Sequence, residues 1–155
     1  MLTLRDAAAS DLPFLRDLFS ALRRREWGSA GLDEAVLRRL IDMQFDAQQH
    51  QYRQAYPESV CKIIEHGGVP VGRVWLNRSP SGFHILDISI APAMQRLGIG
   101  AGTLARVLDE AAASAVPVTL MVAQTNPAQH LYRKLGFEVT AERPPYFEMC
   151  WGDLR

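Results

Sequence analysis

The stretch that decides the fold runs from Ile90 to Ala111 and reads "IAPAMQRLGIGAGTLARVLDEA". An apolar, strand-like run ends at its start, and a helix-like pattern fills its second half. Between them lies "QRLGIG", a polar turn with two glycines one residue apart. The first amides of a helix have no partner within it and carry partial positive charge. Gly98 and Gly100 leave that backbone bare, and Ala101 and Gly102 keep the next turn small. A strand, a glycine turn and a helix in this order make an anion site. They also make a tight turn that holds nothing, and the hexapeptide by itself does not choose. Two phosphate loops are excluded. No Lys-Ser/Thr pair follows the glycines, so this is not a Walker A loop. No third glycine falls at dinucleotide spacing, and the next strand ends in "AQTN" rather than an acidic residue.

Working outward, "VCKIIEHGGVPVGRVWLNRSPSGFHILDISIAP" upstream reads as three strands broken by turns at "HGG" and "SPSG". Before it, Leu12, Leu15, Leu18, Phe19 and Leu22 recur at helical spacing, with Ser10 or Asp11 as cap and Pro13 in the first turn. Asp33 caps a second helix carrying Val36, Leu37, Leu40, Ile41 and Met43. A glutamine-rich extension of it stops before Pro57. The chain opens with a short strand, "LTLR". Downstream, "VPVTLMVA" is a strand, and "NPAQHLYRKLG" is a helix with Asn126 as cap and Gly136 as stop. "FEVTAE", "RPP" and "YFEMCW" form a closing hairpin. The order is β-α-α-β-β-β-α-β-α-β-β. It predicts one α/β domain over residues 1–155: a mixed sheet with helices on both faces.

Composition narrows the function classes. Lys plus Arg and Asp plus Glu balance at 17 each, so no basic excess points to nucleic acid. No window approaches the ~20 apolar residues of a membrane span. The two cysteines, Cys61 and Cys150, sit far apart in apolar runs and read as buried thiols of a reducing compartment. The four histidines and two cysteines show no metal spacing. The expectation is a cytoplasmic protein with no metal, no nucleic-acid partner and no membrane partner.

A second segment resolves the glycine turn. "TNPAQHLYRKLGF", Thr125 to Phe137, lies one strand downstream. Together the two segments resemble the GNAT superfamily of acyl-CoA-dependent N-acetyltransferases. The Gln/Arg-x-x-Gly-x-Gly/Ala signature is matched by Gln95, Arg96, Leu97, Gly98, Ile99 and Gly100. The Ala-x-x-Leu-Tyr-x-x-x-Gly-Phe helix is matched by Ala128, Leu131, Tyr132, Gly136 and Phe137. The match is specific from about Cys61 to Trp151, and the first sixty residues agree only in outline. One position departs: the family's asparagine falls seven residues before the tyrosine, where this chain has Thr125, with Asn126 next.

The resemblance implies acetyl-CoA in a cleft between two splayed parallel strands, near Leu86–Ala91 and Val118–Ala123. The pyrophosphate would take amides from Arg96 to Ala101, and the pantetheine arm would pair with backbone near Ile90 as an added strand. An amide of the Ile90–Ala91 region would face the thioester oxygen. Gln95 belongs to the same signature, Asn126 is carried over toward the cofactor, and Arg133 or Lys134 toward the 3′-phosphate. Tyr132 would donate a proton to the leaving thiolate. The acceptor would be a primary amine of a small molecule or peptide, and an acyl-CoA sensor without turnover is the alternative. A homodimer through the final hairpin is compatible with the sequence.

The base is read from the residues. An alkylamine with a pKa of about 10.4 is mostly protonated at neutral pH, so something must take its proton. Asp87 is an acid inside an apolar strand and needs a partner or a task. Strict alternation sets Ile85, Asp87 and Ser89 on one face and His84, Leu86, Ile88 and Ile90 on the other. Glu148 is a second candidate. The acceptor side is expected near "RREWGSAG" and "ERPPYF", with Glu26, Trp27 and Tyr146, and the glutamine-rich "QFDAQQHQY" either lines that cleft or faces water.

Overall fold

The computed structural model describes residues 1–28 and 31–152. Its elements follow the expected order: β1 Leu2–Asp6, α1 Leu12–Trp27, α2 Glu34–Ala55, β2 Val60–His66, β3 Val69–Ser79 and β4 Gly82–Ile90. Then come α3 Ile99–Ala113, β5 Val118–Ala123, α4 Ala128–Lys134, β6 Glu138–Arg143 and β7 Tyr146–Trp151. Seven strands make one sheet in the order β1-β2-β3-β4-β5-β7-β6. Every neighbouring pair is antiparallel except β4 with β5. The helix α3 that joins this parallel pair is the crossover such a connection requires.

Local sequence explains the joints. His66 pairs with Val69 across Gly67 and Gly68, which both have positive φ, as a two-residue hairpin needs. Helix α4 ends in a Schellman pattern: Phe137 N–H reaches the Tyr132 carbonyl and Gly136 N–H reaches Arg133. That closure turns the chain at once into β6. Asp33 accepts from the Ala35 amide and caps α2. Asp11 stands at the start of α1, but its side chain faces backward. It takes both ends of the Arg5 guanidinium at 2.8 Å and the Ala8 amide at 2.7 Å, and so ties β1 to α1.

The sheet buries both faces. Ile64, Val74, Phe83 and Ile85 meet Leu104, Val107 and Leu108 of α3 on one side. On the other, Ile63 and Trp75 meet Leu15 and Phe19 of α1 and Ile41 and Phe45 of α2. Cys61 and Cys150 are buried thiols, and burial pushes the Cys61 thiol pKa up. Among the described residues no helix is long and apolar enough to cross a membrane.

The expected alternation along β4 fails at one place. Trp75 pairs with Asp87 but its neighbour Leu76 pairs with Ile85, so Leu86 is an extra residue, a β-bulge. Phe83 and Ile85 therefore point to the α3 side. Leu86 packs with the α1/α2 cluster, and beyond the bulge Ile88 and Ile90 return to the α3 side. Asp87 and Ser89 do not share a face with Ile85. The Tyr52 hydroxyl donates to the Leu86 carbonyl at 3.1 Å and fastens the bulge to α2.

The Arg5 hydrogen bonds, then the Ala8 amide, hold the Asp11 carboxyl at about 2, below its ordinary 3.8. A depressed carboxylate stabilises the fold fully above its unfolded value and loses that contribution as pH falls through the folded one. Arg5 is 40% exposed, so solvent screens the pair and the effect is modest. Denaturant melts are expected to show stability falling between pH 4 and pH 2, with Asp11→Asn flattening that part of the profile. An unchanged slope in the variant would assign the acid sensitivity to other carboxylates.

Candidate functional site

The site begins where the parallel pair comes apart. β4 and β5 pair only at Phe83–Val118, His84–Thr119 and Ile85–Leu120. β4 then runs on to Ile90 and β5 to Ala123 without meeting, while their outer edges stay paired with β3 and β7. The bulge at Leu86 sits where the seam opens, and bulges bend the strand that carries them. The Ala91 amide donates to the Val71 carbonyl at 2.8 Å. It faces β3, so Ala91 is not the free seam donor that the sequence suggested. By alternation the backbone groups of Ile90 and Ile88 face the seam. The Ile90 carbonyl accepts from the Gln95 side-chain amide at 3.1 Å.

At the mouth of the seam lies the glycine turn. Gly98 is the N-cap of α3 with φ of 80°, and no side chain caps the helix. Arg96 also has positive φ, 65°, a conformation that side-chain-bearing residues adopt at some cost. From Arg96 through Leu97, Gly98, Ile99 and Gly100 to Ala101, no backbone amide has a hydrogen-bond partner among the described residues, and the ladder starts with Gly102 to Gly98. Successive unpaired amides around left-handed residues form an anion-binding concavity at the positive end of the helix. A Cβ on Gly98 would meet nothing, so its glycine serves the backbone angle. A Cβ on Gly100 would lie 3.9 Å from Ile90 and 4.0 Å from Leu131, ordinary contact that the fold tolerates. Leu97 is 63% exposed and Ile99 is buried in the core, which pins the turn from below. Gln95 links β4 to α1: its side-chain oxygen accepts from Arg25 of α1 at 2.7 Å.

Tyr132 stands on α4, beside the seam. It is 7% exposed, its ring tilts against Phe137, and its hydroxyl has no hydrogen-bond partner among the described residues. Loss of water pushes the phenol pKa up, and the Asp87 charge adds to the shift, so the hydroxyl keeps its proton at neutral pH. Asn126 accepts from the Ala128 amide at 2.9 Å. Its oxygen therefore caps α4, and its amide nitrogen is the part left for a ligand.

Asp87 has found a partner. Arg73, 3% exposed, donates its Nε to Asp87 Oδ2 at 2.7 Å, and the Ser89 hydroxyl donates to the same oxygen at 2.7 Å. The remaining Arg73 nitrogens go to the side-chain oxygens of Gln48 and Gln49 of α2. The glutamine-rich run thus lines the site from the α2 side. Oδ1 of Asp87 has no hydrogen-bond partner among the described residues, and Asp87 lines a cavity under α1. Glu148 is held by Arg143 at 2.8 Å across the final hairpin. Glu26 pairs with Arg23, Trp27 packs against the α1/α2 cluster, and Tyr146 is 45% exposed. Ser29 and Ala30 of "RREWGSAG" lie outside the described residues. The sequence reading missed Arg73. The signal was present in "VPVGRVWL", where a lone arginine inside an apolar strand demands an acid on the neighbouring strand.

Sequence comparison assigns the family. A profile described as the Acetyltransferase (GNAT) family matches residues 14–137. The chain belongs to that family. No curated protein matches it in sequence. Solved structures share the fold. PaiA N-acetyltransferase from Thermoplasma acidophilum, in complex with coenzyme A, is 17% identical with a TM-score of 0.74, covering 99% of both chains. A GNAT family acetyltransferase from Elizabethkingia anophelis with acetyl-CoA bound is 15% identical with a TM-score of 0.63, covering 98% of both. A spermidine N-acetyltransferase SpeG chimera from Vibrio cholerae and hSSAT is 23% identical with a TM-score of 0.65, over 97% of this chain and 94% of that one. Among the described residues no three His, Cys, Asp or Glu side chains gather as a metal site would need.

Gly100 separates packing from binding. Gly100→Val is expected to leave the melting temperature within a few degrees, because only Ile90 and Leu131 approach that position. Its added bulk stands among the unpaired amides, next to Ile90 and Leu131, so the dissociation constant for CoA should rise at least about tenfold by calorimetry. Collapse of fold and binding together would mean that the glycine serves the core.

Proposed function

We propose that this chain transfers an acetyl group from acetyl-CoA directly to a primary amine of a small molecule or peptide, through a tetrahedral intermediate. The observation that supports this most is the Tyr132 hydroxyl, which has no partner among the described residues, on a side chain only 7% exposed beside an open strand seam. In this reading the amides of Arg96 to Ala101 hold the pyrophosphate, and Gly100 gives it room. The backbone of Ile88 and Ile90 pairs with the pantetheine arm. An amide of that pair faces the thioester oxygen as it gains charge. Displacement of Gln95 from the Ile90 carbonyl frees that group. The Asn126 amide nitrogen reaches the same ligand from α4.

The chain's own side chains handle the protons. Asp87 takes one from the incoming ammonium at Oδ1, directly or through a water, while Arg73 and Ser89 fix Oδ2 and so the orientation of the carboxylate. The amine nitrogen then forms a bond to the thioester carbon, and the carbon–sulfur bond breaks. Tyr132 gives its hydroxyl proton to the departing sulfur, and the second proton lost by the acetylated nitrogen passes through solvent to restore the phenol. A thiol with a pKa of about 8.5 leaves moderately well unaided, so this donor helps without being indispensable. The buried thiols suit a reducing compartment, which supports a cytoplasmic location. An acyl-CoA sensor would use the same seam and concavity but would have no use for a proton donor at Tyr132.

The test is CoA release, followed with a thiol reagent over a broad amine panel. Tyr132→Phe is expected to lower kcat about a hundredfold, the low end of general acid–base effects, with the KM for acetyl-CoA changed less than about threefold. A protein that melts higher with acetyl-CoA yet releases no CoA to any amine would be the sensor instead.

A further inference from the structure

The turn proposed to seat the cofactor is tied to α1 by a contact that the transfer chemistry leaves unused. Arg23, Arg24 and Arg25 follow one another near the end of α1. Arg23 pairs with Glu26 and Arg24 with Glu34. Arg25 pairs with no carboxylate among the described residues. Its Nη1 donates at 2.7 Å to the side-chain oxygen of Gln95, and it has no other hydrogen-bond or ion-pair partner among those residues. The nitrogen of the same side-chain amide donates at 3.1 Å to the Ile90 carbonyl. Gln95 is thus held at both ends, between the last turns of α1 and the open edge of β4.

The two ends are not interchangeable. A guanidinium only donates and a carbonyl only accepts. With its oxygen on Arg25, the Gln95 amide must present its NH2 group to Ile90. The carbonyl it covers also has a defined direction. The Ala91 amide bonds to the Val71 carbonyl, which makes Gly72 and Ile90 a non-hydrogen-bonded pair of the β3–β4 ladder. The N–H and C=O of Ile90 accordingly turn from β3 toward the seam. An amide N–H on that carbonyl is what a pantetheine arm, added as a strand, would supply. Gln95 supplies one from within the chain.

We infer that Arg25 is a positioning residue that holds the Gln95 amide on the Ile90 carbonyl, so that the chain competes with its own cofactor for that group. This rests on the cofactor seat proposed above. In the free protein the contact keeps a seam carbonyl paired, where an unmet one costs stability. On binding, the pantetheine N–H takes the carbonyl and the Gln95 amide moves off. The hydrogen bond gained is offset by the one lost, so the affinity for acetyl-CoA and for the CoA product is lower than the seam alone would give. Lower affinity for CoA favours product release, a step that limits many enzymes.

The experiment measures CoA affinity by calorimetry at about 0.5 M salt, where attraction over distance between Arg25 and the phosphates is screened. Gln95→Met keeps the length of the side chain and removes both polar ends. It should tighten CoA binding about three- to tenfold, the worth of one ordinary hydrogen bond. Arg25→Met leaves Gln95 unheld and should tighten binding about two- to fivefold, because the competing amide is no longer pre-organised. Arg25→Lys still donates to Gln95 and should stay near the native affinity. The double variant should bind no more tightly than Gln95→Met alone, because Arg25 acts only through Gln95. Weaker or unchanged binding in Gln95→Met or Arg25→Met overturns the inference, as does a double variant in which the two effects add. If Gln95→Met fails to fold, the exposed Arg25 position decides, Met against Lys. If the native protein binds no CoA, the cofactor seat falls and the inference with it. Native binding that the variants do not tighten removes the inference alone.

Discussion

The structure depends on a sheet that is left open on purpose at one seam. β4 and β5 share three residue pairs and then separate, although both continue as strands. A buried backbone group without a partner costs free energy, so an open seam inside a sheet persists only where something else meets its N–H and C=O groups. Here the Gln95 side chain covers the Ile90 carbonyl, and the amides beyond it wait along the glycine turn. A pantetheine arm is an extended chain with two amide groups. It completes such an edge as an added strand would. In the proposed reading, the fold and the ligand class follow from one constraint, the pairing of main-chain groups.

A polar network braces the β4 side of the seam against α2. The bulge at Leu86 turns Asp87 and Ser89 away from the core of α3 and toward Arg73. Arg73 is nearly inaccessible, and a buried charge survives only with good partners. It has three, from Asp87 on β4 and Gln48 and Gln49 on α2. Tyr52, its hydroxyl on the bulge carbonyl and its pKa pushed up to about 12 by burial, joins the same network. The helix pair α1/α2 is therefore fixed to the bent strand by polar contacts. The strand's bend, the orientation of Asp87 and the shape of the cavity under α1 are set together. Gln95 adds a second tie, from Arg25 at the end of α1 to the backbone of β4.

Much of this was legible in the sequence because it rests on local chemistry. The Gly67-Gly68 hairpin, the Asp33 cap and the Gly136 stop are fixed by residues that few other conformations accommodate. The glycine turn and the Tyr132 helix were legible for the same reason, and their order gave the family. The bulge was not. Alternation assumes one residue per step, and nothing in "FHILDISI" marks Leu86 as the extra one. The face of Asp87 was misjudged for that reason. The pairing of Ala91 with Val71 and the hold of Arg25 on Gln95 arise from segments distant in the chain. Asn126 shows the two limits at once: its role as cap was local and readable, and what its nitrogen meets depends on the ligand.

Amide hydrogen exchange with and without saturating CoA examines the central claim most directly. Six consecutive amides, residues 96–101, have no partner within the described protein and should exchange rapidly when it is alone. Bound CoA should slow several of them, together with the amides of Ile88 and Ile90, by about tenfold or more, while the exposed face of α2 stays unchanged. Exchange at residues 96–101 that is already slow without CoA, or that does not change when CoA is shown to bind, would contradict a phosphate seat at the start of α3.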